Sequence, residues 1–330
     1  MAKCVVLVDE PIEGPLESST TETIRVTTKS AYTKPDQGPM KHIEFRNSPY
    51  LDLASLPDDV VPIIVMSKAV SIEVRDAVRR TWGFDRAYAN NTLRIKTFFL
   101  VGTDDFMTQR IRMEQVMFDD VIHVNVPDMY SFSAYKEIAA MMWVRSFLPK
   151  SLFYVKVEDD VIINMRMFVT HLLPRIRTAT DQHLILGWYG SEHTVKRGAY
   201  QKFVKAVYST SSEQLNYAMS LMYAVTAVGV DSMLETLNDV ELIEYPGDPF
   251  VTGILRDAGH VDITDLAKKS GDFSFEMANG ACKMAFEKNP TLLICLSSSH
   301  ASSTQSIPEY FEAWNVLIAQ MPQLLQKKIA

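Results

Sequence analysis

The sequence predicts an α/β fold built on a mostly parallel central sheet with helices on both faces. Two observations carry this. Nearly continuous apolar runs of strand length recur through the first half of the chain, and helical stretches with one-sided apolar stripes lie between or after them. A run without polar alternation marks a strand buried on both faces, and such strands alternating with helices are the pattern of crossover-connected parallel pairs.

In order, the first run is Val60-Val61-Pro62-Ile63-Ile64-Val65-Met66. A helix follows, which Ser71 can cap and Gly83 can end, with Val74, Ala77, Val78 and Trp82 on one stripe. Strand-like runs return at Ile95–Val101, Val121–Val126 and Leu152–Val157, with helical segments expected at 106–117, 133–148 and 165–176. The second half is less regular: strands are expected at 184–189 and 221–228, and a last helix from Pro308, in its first turn, to about Lys327. Residues 9–57 are rich in Ser, Thr, Pro and Glu without sustained periodicity, and cannot bury enough apolar surface to offset their ordering entropy. The expected organisation is a disordered or stem-like leader over 1–57 and one folded domain over 58–330.

Composition narrows the function classes. Apolar residues make up 47% of the 330 and charged residues 22%, the balance of a globular chain with a sizeable core. A net charge of −7, from 33 Lys+Arg against 40 Asp+Glu, argues against a broad nucleic-acid-binding surface but allows a local basic site for one phosphorylated ligand. Three cysteines, Cys4, Cys282 and Cys295, exclude a disulfide scaffold and a four-Cys zinc site. Cys4–Val8 is too short an apolar run for a signal peptide or a membrane span, so no anchor is read here. The longest uncharged stretch, Gln214 to Val230, carries Asn216, Ser220 and Thr226 and reads as buried sheet and loop.

Four constellations carry chemistry. Glu158-Asp159-Asp160 directly follows the strand Leu152–Val157, so three carboxylates are expected at the carboxyl end of a parallel strand, where open sheets bind ligands. Adjacent acids repel unless neutralised, and hard oxygen donors suit manganese or magnesium; the bland alternative is a solvated acidic turn. Arg75 and Arg79 lie one helical turn apart, away from the Val74/Val78 stripe, and their forks match phosphate oxygens; taken alone they read as a solvated basic face. Asp248, in Tyr245-Pro246-Gly247-Asp248-Pro249-Phe250, sits in a forced turn and is a candidate general base or merely a turn residue. His300, after Leu292–Leu296 and three serines, is a candidate imidazole ligand or a surface histidine.

In this order the pieces resemble the beta-1,3-galactosyltransferase family, with its beta-1,3-N-acetylglucosaminyltransferase relatives, and look like the nematode-type hexosyltransferases. The family opening R-x-A-I-R-x-T-W-G is similar to Arg75–Gly83, with Val78 for Ile. Phe98–Gly102 looks like its second strand, E-x3-[YF]-x-D-[IV] matches Glu114, Phe118, Asp120 and Val121, and D-x-Y…K matches Asp128, Tyr130 and Lys136. K-x-D-D-D-x-x-x-N corresponds to Lys156, Glu158-Asp159-Asp160 and Asn164, D-V-[FY] to Asp248-Pro249-Phe250, and H…W to His300…Trp314. The likeness covers about residues 60–315.

The resemblance implies a fold of the GT-A type, a UDP-sugar donor, a glycan acceptor on protein or lipid and manganese. It implies an inverting, metal-dependent hexosyltransferase moving galactose or an N-acetylhexosamine to a glycan hydroxyl in a beta-1,3 linkage. It implies Asp160 and His300 as metal ligands and Asp248 as catalytic base. Glu158 and Asp159, with Arg75, Arg79 and Lys136, would serve the UDP-sugar side. It also implies the lumenal side of the Golgi, with which the sequon Asn90-Asn91-Thr92 and a Cys282–Cys295 disulfide are compatible. The chain departs from the pattern at four places. Glu158 replaces the first Asp, Gly247 stands where an acid precedes the base, and Pro249 replaces the following Val. Ser220 and Met222 occupy glycine positions in Tyr217–Tyr223. Were Glu158, Met222 and Pro249 to close the donor pocket, the chain would be a non-catalytic glycan- or transferase-binding relative. An unrelated doubly wound phosphate-handling enzyme would instead hold Asp248 and His300 far from Glu158–Asp160.

Overall fold

The computed structural model describes residues 39–51, 60–84, 86–88, 93–189, 217–240, 247–266, 278–279, 281–297 and 307–320. Among them the strands are β1 (Phe45–Asn47), β2 (Val60–Met66), β3 (Arg86–Tyr88), β4 (Leu93–Thr103), β5 (Val121–Pro127), β6 (Phe153–Glu158), β7 (Val161–Ile163), β8 (Leu184–Tyr189), β9 (Ala218–Thr226), β10 (Asp262–Asp265), β11 (Ala278–Asn279) and β12 (Ile294–Leu296). The main sheet runs β1-β5-β4-β2-β6-β9-β8-β10, with β3 on β4, and a small sheet runs β11-β12-β7. Its centre, β5-β4-β2-β6, is parallel, as the apolar runs predict; β9 is antiparallel to both β6 and β8.

β2 is buried along its whole length because both of its faces are covered. Val61, Ile63 and Val65 join one core with Ala77, Val78 and Trp82 of helix α1 (Ile72–Arg80) and with Tyr310 and Trp314 of the last helix, Ile307–Ala319. Ile64 and Met66 point the other way, into a core with Ile138, Met142 and Trp143 of helix α3 (Ser133–Phe147). Helix α2 (Thr108–Phe118) packs beside β5. Burying one such large apolar side chain stabilises the fold by roughly 1.5–3 kcal/mol, so these two layers fix where the strand ends emerge.

Three expectations need correction. Residues 39–51 belong to the folded unit and not to a disordered leader: β1 pairs antiparallel with β5, Ile43 is buried, and the Trp143 Nε1–H donates to Ser48 Oγ at 2.7 Å. Ser71 precedes α1 but makes no capping hydrogen bond with its side chain. The uncharged stretch holds β9 and then the start of a helix, Ala227–Glu235. Gly83 does end α1, donating to Val78 O at 2.9 Å; a Cβ there would lie 2.6 Å from Val78 Cγ1. Among the described residues no helix is long and apolar enough to cross a membrane.

Candidate active site

β2 and β6 lie side by side with Met66 opposite Glu158, so the acidic turn emerges where the loop after β2 begins. Four contacts shape it. Asp159 N–H donates to Met66 O at 3.2 Å, Ser67 Oγ–H donates to Asp159 Oδ2 at 2.7 Å, Tyr310 O–H donates to Asp159 O, and Ser297 N–H donates to Asp160 O at 2.8 Å. Ser297 is held in turn by β12, which pairs with β7 and carries the Cys282–Cys295 disulfide to the helix Cys282–Lys288. The disulfide of the sequence reading is therefore present.

Glu158, Asp159 and Asp160 are each half-buried and line one cavity of about 360 Å³. Asp248 lines the same cavity, brought there by the helical turn Gly247–Pro249. Thr252 anchors that turn: its hydroxyl donates to Asp248 O at 2.7 Å and accepts from the Ala218 N–H of β9 at 2.9 Å. Pro249, in the first turn of a helical segment, loses no hydrogen bond that the helix would otherwise make.

Electrostatically the cavity is overloaded with carboxylates. Burial, then the charges of Glu158 and Asp159, pushes the Asp160 carboxyl up to about 7. Burial, then Glu137, pushes Asp248 up to about 7 as well, against the pull of Lys156. Lys156 is fully buried; burial disfavours its charge, but the Glu137 and Glu158 carboxylates outweigh that and raise its proton affinity. Its Nζ bonds Glu158 and donates to Ser220 O at 2.6 Å. Excess negative charge on hard oxygen donors fits a divalent cation at Asp160. Among the described residues no three His, Cys, Asp or Glu side chains already form a metal-binding group. His300 and the sequon residue Asn90 lie outside the described residues.

The two arginines are not a solvated basic face. Arg75 has no exposed surface: its Nε and Nη2 donate to Glu114 at 2.9 and 2.7 Å, and Nη1 donates to Ser67 Oγ at 3.0 Å. Arg79 forks onto Asp120 at 2.7 and 2.8 Å, donates to Glu114 at 2.7 Å and stacks over Phe118 at 4.1 Å. Arg75 thus reaches the cavity through Ser67, which bonds Asp159, and through the Lys68 carbonyl, and Arg79 opens on a separate pocket with Lys96 and Phe84. Lys136 is buried too, donating to Asp128 Oδ1 at 2.7 Å and Ser67 O at 2.8 Å. Arg75 and Lys136 brace the loop after β2, Arg79 ties α1 to Glu114 and Asp120, and none of the three lines this cavity.

Met222 does not fill the cavity: it is buried in the core, opposite Val157, while Ser220 and Leu221 line the wall. Gly247 has a local cause, since a Cβ there would lie 1.9 Å from Glu137 Oε1. Sequence reasoning passed over Glu137, Ser67, Lys68 and Tyr310. Glu137 had one signal, its place beside Lys136; the others show only through the tertiary arrangement.

A sequence model described as galactosyltransferase matches residues 73–267, more than half of the chain. Beta-1,3-galactosyltransferase 5 of Gorilla gorilla gorilla is 31% identical over 140 residues, 42% of this chain and 46% of that protein. UDP-GalNAc:beta-1,3-N-acetylgalactosaminyltransferase 1 of Homo sapiens is 27% identical over 171 residues, 48% of this chain and 50% of that protein. The chain spans about half the length of the curated relatives it matches. Among solved structures, the galactosyltransferase LgtC with donor and acceptor sugar analogs covers 81% of this chain and 100% of that one, at TM-score 0.40 and 10% identity.

Proposed function

The chain belongs to the galactosyltransferase family, and from that premise we propose that it is an inverting hexosyltransferase. It moves galactose or an N-acetylhexosamine from a UDP-sugar to a glycan hydroxyl, in a beta-1,3 linkage. One observation carries the reading: Asp248, on the turn Gly247–Pro249, and the acids Glu158–Asp160, on the end of β6, line one cavity although some ninety residues separate them. That proximity speaks against an unrelated doubly wound enzyme.

Asp248 is the general base. It takes the proton of the acceptor hydroxyl as that oxygen bonds to the sugar's anomeric carbon, while the bond from that carbon to UDP breaks and UDP leaves with the electron pair. A single displacement from the opposite face inverts the linkage. A carboxyl with its proton affinity raised to about 7 is well matched to that transfer near neutrality. Asp160, with His300, is the group that would hold manganese, whose chemistry is to offset charge on the departing diphosphate. Asp159 is kept in orientation by Ser67 and Tyr310, and Glu158 by Lys156. The disulfide supports an oxidising compartment such as the Golgi lumen.

The non-catalytic alternative needs Glu158, Met222 and Pro249 to close the donor pocket, and no observation favours it: among the described residues the cavity stands open, and Met222 is buried in the core. The test is a UDP-sugar panel read by thermal shift and by acceptor-dependent UDP release, with and without manganese. One sugar should stabilise the protein in a manganese-dependent way, and Asp160→Ala should abolish that dependence. Unchanged manganese-dependent binding by Asp160→Ala would sink the metal assignment.

A further inference from the structure

Two residues one turn apart on α3 hold the turn that carries Asp248. Ser133 Oγ accepts from Gly247 N–H at 2.8 Å, and the Glu137 carboxylate fills the place of a side chain at 247, with Oε1 1.9 Å from where a Cβ would stand. Glu137 is 2% exposed and lines the cavity. Its Oε2 accepts from Tyr223 O–H at 2.5 Å, and its Oε1 lies 3.4 Å from Lys156 Nζ.

We propose that Glu137 is a positioning residue for sugar transfer: its carboxylate packs against Gly247, next to Asp248, and shares the buried Lys156 ammonium with Glu158, so that Asp248 keeps its character as a base. The inference rests on the transferase reading. Among the described residues, the groups that act most strongly on Asp248 are Glu137 from α3 and Lys156 and Glu158 from β6, with Tyr223 of β9 behind Glu137; Lys68, Asp159 and Asp160 line the same cavity. Lys156 is the fully buried cation of the set. With the Glu137 charge removed, Asp248 loses that carboxylate's repulsion, and the attraction of the buried Lys156 ammonium, still paired with Glu158, is opposed by less negative charge. An aspartate paired with a cation holds a proton poorly and is a weaker base. The role therefore needs the charge of Glu137 as well as its volume.

Because a Cβ at 247 would stand at the Glu137 carboxylate, an aspartate there places its own carboxylate beside that position. Gly247→Asp alone should lower the melting temperature, and adding Glu137→Ala should restore most of it. For turnover, Glu137→Ala should lose kcat about tenfold with donor KM little changed. Glu137→Ala with Gly247→Asp should regain much of that loss, whereas Glu137→Ala with Gly247→Asn, equal in volume but uncharged, should not. Equal recovery by the Asn version would reduce Glu137 to a filler and overturn the proposal. A readout independent of turnover is a 13C NMR titration of the Asp248 carboxyl in Glu137→Gln. It should move to lower pH than in the wild type, and an unmoved titration overturns the proposal even in a chain that transfers no sugar. Absence of UDP release by the wild type, with the Asp248 shift present, would instead fault the transferase reading.

Discussion

Asp120 accepts from Nε and Nη2 of the Arg79 guanidinium, at 2.7 and 2.8 Å, forty-one residues along the chain from it. Glu114, one element earlier, takes Arg75 in the same forked way and reaches Arg79 with its remaining capacity. The arginines of Arg75–Gly83 and the acids of the E-x3-[YF]-x-D-[IV] element are therefore the two halves of one buried ion-pair network. Its far end touches the site: Arg75 donates to Ser67, and Ser67 donates to Asp159.

Removing Glu114 should cost far more than an exposed ion pair would. Arg75 is wholly buried, and Glu114→Ala leaves its charge without a carboxylate in a place water does not reach. Breaking such a pair typically costs about 3–5 kcal/mol. Urea denaturation measures it, and a loss below about 1 kcal/mol would mean that water or another acid replaces Glu114.

Acid sensitivity should trace in part to His123. Burial, then the charge of Arg46, lowers its proton affinity to about 4, and neither ring nitrogen has a hydrogen-bond partner among the described residues. The unfolded chain binds that proton near pH 6.5, so between about 6.5 and 4 the unfolded state holds more protons and stability falls as pH falls. The loss is at most about 3 kcal/mol. His123→Leu should flatten stability against pH across that window; an unchanged slope would assign the sensitivity elsewhere.

Asp248 predicts the opposite sign. Its folded carboxyl holds a proton up to about pH 7 that the unfolded chain gives up near 3.8, so its contribution to stability falls as pH rises between those values. Asp248→Asn removes that term and should be more stable than the wild type at pH 8, by about 1 kcal/mol once partial exposure is allowed for. In the active enzyme, kcat/KM should climb as pH rises through about 7. A profile flat from pH 6 to 8 would move the base to another residue.

The Cys282–Cys295 bridge closes a short loop, thirteen residues in sequence separation, and removing it should cost roughly 3 kcal/mol. The double variant Cys282→Ala, Cys295→Ala should also weaken UDP-sugar binding, because β12 steadies Ser297 and through it Asp160. Binding unchanged at a temperature where the variant is fully folded would confine the bridge to stability.

What was legible in the sequence follows from what is local. Val60–Met66 declares itself because a strand covered on both faces needs seven apolar residues in a row, and the acids after Leu152–Val157 follow from where such strands end. β1 is invisible because three residues in a polar stretch form a strand only by lying on β5. The face argument for α1 misjudged its arginines, since their partners lie in α2 and beyond, and no local pattern carries that pairing. Glu137 escaped notice for a related reason. α3 is buried nearly all the way round, so it has no polar side on which an acid would stand out.

The most direct test of the account is Asp248→Asn, assayed for UDP-sugar binding and for acceptor-dependent UDP release on one preparation. The account predicts donor binding like the wild type and transfer reduced by a factor of about 100 or more, because an amide accepts no proton at neutral pH. Transfer within a few-fold of the wild type would contradict it.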